Sequence, residues 1–316
     1  MKLAFTVNMF DRKHSWIYRD VFWFVFVWSL VRLGEAESKC TEAFFKQIDG
    51  QLAVRVTKRY LSKINRHIRK LTYNTKLRTS ASCEELHQIG GDLPNGVYNI
   101  QTKTNTGMTK TYCQMTSLEG CAGGGWTMVM KVDGHKKTFN YSSSYWSNEQ
   151  TFNPIGGTSG FDDVETKLPT YWSTSFQELC IGMKVGNDLR FLTIPYANES
   201  LHSVIADGKF HRTFVGREKW KSLLADASLQ RQCNKEGFNN YKPLSQSTGV
   251  RIGILGNEQN DCNSPDSFLG IGAKHQAYGC PVDNSGSAIP TSGNCATWQP
   301  DNGRKNIKSM GYILVR

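Results

Sequence analysis

The chain has 316 residues, of which 39% are hydrophobic, 21% charged and 11% aromatic. That supports a packed core, is too apolar-poor for a polytopic membrane protein, and argues against wholesale disorder. The 29 glycines follow no Gly-X-Y period, which excludes collagen. Of the formal net charge of +11, residues 41–80 carry +8, ten Lys/Arg against two Asp/Glu, and residues 81–316 only +1. A nucleic-acid reading would rest on that one segment, and no nucleic-acid partner is expected.

In chain order, the first element is the 11-residue apolar run Val21–Val31, preceded by Lys2, Arg12, Lys13 and Arg19. Gly34 and Ala36 supply small residues at the two cleavage-specifying positions, so residues 1–36 read as a secretory signal peptide. The run is short for a membrane span, which needs about 20 apolar residues, although an uncleaved signal anchor at the cell surface is the rival reading.

Residues 37–82 read as a basic helical stalk. Leu61, Ile64, Ile68 and Leu71 follow the spacing of a coiled-coil seam, and Phe45, Ile48 and Leu52 repeat it in a shifted register. Lys58, Arg59, Lys63, Arg66, Arg69 and Lys70 surround the second seam. Three readings compete: a homo-oligomer formed through residues 41–80, a basic helix on an acidic surface, and a solvated stalk. Like charges flanking a seam weaken the first. The polar stretch Thr72–Ser82 is expected to be the linker.

Nine cysteines follow the apolar run: Cys40, Cys83, Cys113, Cys121, Cys180, Cys233, Cys262, Cys280 and Cys295. None forms a CxxC pair, so structural zinc is not expected, and in an oxidising compartment most should be disulfides. The odd count leaves one over. Cys40, ahead of the basic segment, is the candidate for an interchain bridge, with a free or mixed-disulfide cysteine as the alternative. Asn140-Tyr-Ser and Asn198-Glu-Ser are glycosylation sequons that suit the same compartment.

From Cys83 the pattern changes to short strands: Val97–Ile100, Thr111–Cys113 and Trp126–Val132. Leu179–Val185 and Leu189–Tyr196 flank Gly186-Asn187-Asp188 as a hairpin, and Leu201–Ala206 and Lys209–Phe214 flank Asp207-Gly208 as another. Trp220, Leu223, Leu224 and Ala227 predict an amphipathic helix over Arg217–Gln230. Val250–Leu255 and Tyr312–Val315 read as buried strands, and residues 256–310 show little regular signal.

The order Cys83, Gly96-Val-Tyr98, Tyr112-Cys113-Gln-Met115 and Gly123-Gly-Gly-Trp-Thr127 resembles the opening of the fibrinogen C-terminal-like domain, a motif shared with intelectin-type lectins. The resemblance implies a β-rich α+β fold over residues 83–316 and a bridge between Cys83 and Cys113. Gly293-Asn-Cys-Ala296 matches a family tetrapeptide, but the family's usual Trp-rich run is missing. The stretch Asn257–Gly272 and the ending Ile307–Val315 are similar to fibrinogen-related secreted proteins of invertebrates, and the whole chain resembles coral skeletal organic matrix proteins.

No HExxH, nucleophile elbow or P-loop is present, so no enzyme is expected. The candidate site is oxygen-rich: Glu258, Asn260, Asp261, Asn263 and Asp266 fall within nine residues. Asp261, Asn263 and Asp266 could supply oxygens to Ca2+, in roughly the region where the family carries a calcium loop; the alternative is a solvated turn. Asp162, Asp163 and Glu165 form a second acidic cluster, read first as an exposed loop. Tyr141, Tyr145, Trp146, Tyr171 and Trp172 could stack on sugars, although core packing is the commoner fate. Two functions are expected: a secreted matrix protein binding extracellular glycans or acidic matrix polymers, or a calcium-assisted lectin.

Overall fold

The computed structural model describes residues 58–89, 93–102, 107–241, 248–274, 280 and 289–316. The apolar run 21–31, Cys40 and the first seam register lie outside them. The chain divides into two compact units, Met1–Ile68 and Arg69–Arg316.

Helix α1 spans Lys58–Thr79 and continues through most of the segment expected to be a linker. The hydroxyls of Thr75 and Thr79 donate to the carbonyls of Leu71 (2.9 Å) and Thr75 (3.1 Å), which satisfies these polar groups without breaking the helix. Ser82 then caps a second helix, α2 (Cys83–Gln88), by accepting from the Glu85 amide.

The unit Arg69–Arg316 is β-rich and built on two antiparallel sheets. The first has the order β1 (Gly96–Gln101), β2 (Met108–Gln114), β3 (Trp126–Asp133), β13 (Met310–Val315), β5 (Phe176–Val185) and β6 (Asp188–Asn198), with β4 (Thr166–Lys167) also on β3. The second runs β12 (Lys305–Lys308), β11 (Ser292–Ala296), β10 (Ser267–Lys274), β9 (Gly249–Asn257), β8 (Gln232–Asn240) and β7 (His211–Arg212). The C-terminal strand is thus central to the first sheet and entirely buried. Its alternation is used on both faces. Ile313 and Val315 join the main core with Ile181, Ile252, Ile254, Leu269 and Ile271, whereas Tyr312 and Leu314 pack with Trp126, Met128 and Leu168. Each such side chain contributes about 1.5–3 kcal/mol on burial.

The β5–β6 hairpin turns on Gly186-Asn187, with Val185 opposite Asp188. Gly186 has φ +59°, the left-handed conformation this tight turn requires. The second expected hairpin does not form. Residues Leu201–Ile205 are helix α4, because Ser200 caps the Ser203 amide and Leu201, Val204 and Ile205 recur at helical spacing against the core. Arg212, on the other side of Asp207-Gly208, pairs with β8 instead.

The helix expected over Arg217–Gln230 is a single turn and a half, α5 (Arg217–Lys221). Beyond it the chain runs through turns to Asp226 and is then pinned to the second sheet: the Asn294 side chain accepts from the Ser228 amide at 2.8 Å, and Ser267 Oγ from the Gln230 amide at 2.9 Å. A short helix, α3 (Thr170–Ser173), follows β4.

Residues 256–310, read as irregular, contain β10, β11 and β12. Their glycines hid them. Gly237, Gly253, Gly270 and Gly293 are mutual register partners across β8, β9, β10 and β11, forming one row through the second sheet. A Cβ on Gly253 would lie 2.4 Å from the Leu269 carbonyl oxygen, and one on Gly270 2.3 Å from that of Ile252. Backbone approaches too closely there for any side chain.

Candidate functional site

The oxygen-rich loop leaves β9 and returns into β10. Asn257, fully buried at the end of β9, starts it: its Nδ2 donates to the Asp261 carbonyl at 2.7 Å and its Oδ1 accepts from the Glu258 amide at 3.0 Å. Asp261 Oδ1 accepts from the Asn263 amide at 3.0 Å, an Asx turn. Cys262 is disulfide-bonded to Cys233 at the irregular start of β8.

Behind the loop lies Gln230, fully buried. Its Nε2 donates to the Glu258 carboxylate and to the Trp298 carbonyl (3.0 Å), while its Oε1 accepts from the Asp266 amide at 3.2 Å. The Asp266 carboxyl lies close to that of Glu258. Burial first, and the Glu258 charge second, push Asp266 up to about 6.

The third wall is the segment after β11. Trp298 (φ 48°) and Gln299 (φ 55°) are consecutive non-glycine residues in the left-handed region, and the Trp298 side chain is 60% exposed. Asp301 holds this segment to α5. Its carboxylate meets the Lys221 ammonium, the Arg217 guanidinium and the Leu229 amide. Burial alone would raise this acid; those three donors outweigh it and hold Asp301 at about 2.

The oxygens expected to serve Ca2+ are therefore divided. Glu258 and Asp266 converge, whereas the Asp261 carboxylate serves its own turn. Among the described residues no group of three or more His, Cys, Asp and Glu is arranged to hold a metal ion. The loop offers hard oxygen donors of the kind calcium prefers, but the trio Asp261, Asn263 and Asp266 is not gathered around one point by these hydrogen bonds.

The other expected clusters have internal partners. Asp162 pairs with the buried Lys131, Asp163 with Lys184, and Glu165 is buried and accepts from the Asp133 amide at 3.1 Å. Tyr141, Trp146 and Tyr171 are buried in the core. Tyr145, Tyr171 and Trp172 surround the Lys167 ammonium, with ring centroids at 5.8, 4.8 and 5.3 Å. Asn140 and Asn198 are both partly exposed. Asn140 Oδ1 accepts from the Ser142 amide, and Asn198 Oδ1 from the Ser203 hydroxyl and the Glu199 amide. Gln230 and Trp298 carried no sequence signal: one lies at the end of an expected helix, the other in an expected irregular stretch.

Four disulfides join Cys83 to Cys113, Cys121 to Cys180, Cys233 to Cys262 and Cys280 to Cys295, the chemistry of an oxidising compartment. Among the described residues no helix is long and apolar enough to cross a membrane. No protein-family model matches the chain, and no curated protein matches it.

Proposed function

We propose that the chain is a secreted, non-catalytic extracellular matrix protein whose β-rich unit is a fibrinogen-like binding domain. The four disulfides carry this reading: they staple both sheets and the loop 258–266, which suits a durable surface in an oxidising medium. The sequence order that resembles fibrinogen-like domains supports the family, and the similarity to skeletal organic matrix proteins supports the setting. A basic stalk adds attraction for acidic matrix polymers.

A second reading, a calcium-assisted lectin, is favoured by the Glu258–Asp266 pair on the same rim as the solvent-facing Trp298. In that case Glu258 and Asp266 would hold the ion, which would supply positive charge for sugar hydroxyls, and Trp298 would offer an aromatic face.

One experiment separates the two. The full chain is expressed in a secreting cell, and the medium is passed over an insoluble acidic polysaccharide and over a glycan array, each with calcium and with chelator. The matrix reading expects secretion and salt-sensitive, chelator-resistant retention on the polymer. The lectin reading expects array binding that chelation abolishes and Asp266→Asn weakens at least about tenfold, a loss of about 1.4 kcal/mol. Retention of the chain inside the cell with reduced thiols overturns both.

A further inference from the structure

Among the described residues, strand β7 ends the second sheet, paired with β8 on one side only. Exposure alternates through β7 (His211–Arg212) and the residues flanking it: Phe210, Arg212 and Phe214 are exposed, His211 is half-buried and Thr213 is buried. Phe210 is 37% exposed and Phe214 83%. Each ring carries a cation on its face. The Arg212 guanidinium lies 5.0 Å from the Phe214 ring centroid, and the Lys235 ammonium, from β8, lies 4.2 Å from that of Phe210. Arg212 forms no ion pair among the described residues.

Two acids beside β7 have internal partners. Asp207 is occupied by His211 Nε2 at 2.9 Å and the Lys209 amide at 2.8 Å. Glu236 lies beneath, accepting from Thr213 Oγ1, the Val215 and Gly216 amides and Trp220 Nε1. Those four bonds fix the backbone from Thr213 to Gly216, so the strip is held in place before any ligand arrives.

We infer that this strip, Phe210, Arg212, Phe214 and Lys235, is a binding site for a linear anionic polysaccharide, separate from both the oxygen-rich rim and the basic helix. Phenyl rings stack on the apolar faces of sugar rings, while the two cations meet sulfate or carboxylate substituents. A lipid surface fits less well. Inserting these rings into hydrocarbon would drag in or strip off the cations that lie over them, at a large desolvation cost. The inference rests on the extracellular reading for where such a polymer is met, and on geometry for the site.

The test uses the full, oxidised chain and immobilised heparin as probe. The parent variant has the helix neutralised by Lys58→Gln, Arg59→Gln, Lys63→Gln, Arg66→Gln, Arg69→Gln and Lys70→Gln, so that binding reports the strip. This parent is expected to retain salt-sensitive heparin binding. Adding Arg212→Gln and Phe214→Ser, both at exposed positions, should weaken it at least about tenfold, while Arg212→Lys keeps most of it. Complete loss of binding on helix neutralisation, or no effect of the strip substitutions, overturns the inference. So does Phe214-dependent binding to phosphatidylserine vesicles without heparin binding, which makes the strip a membrane contact. Heparin binding by a chain that cells fail to secrete leaves the strip standing and removes the extracellular reading.

Discussion

Two lysines, Lys131 and Lys167, are fully buried in the β-rich unit, and they are accommodated differently. Lys131 forms an ion pair with Asp162 and also donates to the Gly160 carbonyl at 3.2 Å. Lys167 forms no ion pair among the described residues. Its ammonium donates to the Asn148 carbonyl and side chain and is ringed by Tyr145, Tyr171 and Trp172. Burial lowers Lys167 to about 8, with the more distant Glu149 only partly opposing it. The folded state therefore holds this proton less tightly than the unfolded chain, where Lys titrates near 10.4. The sign follows: the fold bears the full penalty below about pH 8 and is relieved of it as pH rises towards 10.4. Between pH 8 and pH 10 the wild type should gain about 2 kcal/mol relative to Lys167→Met, which has no proton to lose. Denaturant unfolding of both proteins at the two pH values measures this. Parallel stabilities would mean that the rings and the Asn148 carbonyl compensate the buried charge.

At the scale of elements, the glycine row of the second sheet makes the sharpest distinction between positions. Gly270→Ala places a methyl 2.3 Å from the Ile252 carbonyl oxygen, and its three nearest atoms are all β9 backbone, with no flexible side chain to move. A cost of about 2–4 kcal/mol is expected, read as a lower midpoint in thermal or denaturant unfolding. Gly96→Ala has nothing within 4 Å and should be nearly neutral. Equal effects would remove close strand approach as the reason for the row. The same row explains why this half of the fold was hard to read in the sequence. In β3, β5, β6, β9 and β13, apolar alternation or a buried apolar run marks the strand directly. In β10 and β11, Gly270, Gly272 and Gly293 replace the apolar residues that would have revealed the period. Segment Leu201–Ile205 failed for another reason: five residues with Asp207-Gly208 behind them satisfy a hairpin pattern as well as a helical one, and only the Ser200 cap decides. The acidic rim was legible as composition, but not its wiring, because Gln230 reaches Glu258, Asp266 and Trp298 from 28, 36 and 68 residues away.

At the scale of the whole molecule, the covalent links divide between the sheets. Cys83–Cys113 ties α2 to β2, and Cys121–Cys180 ties the segment before β3 to β5; Cys233–Cys262 and Cys280–Cys295 serve the second sheet and its loops. The loops they close differ in length, 59 residues for Cys121–Cys180 against 15 for Cys280–Cys295. If the links act mainly by restricting the unfolded chain, their contributions rank with loop length, about 4 kcal/mol for the first and about 3 for the second. Paired Cys→Ser variants of each bridge, unfolded under identical conditions, should lose stability in that order. Non-reducing peptide mapping of the wild type should recover the same four pairs. An inverted order, with the short Cys280–Cys295 bridge costing most, would place the stabilisation in native packing around Phe268 and Ala273, which share a core cluster with Cys295, rather than in chain entropy. A different set of pairs would break the register that brings β13 between β3 and β5, since Cys180 lies on β5 directly opposite Leu314.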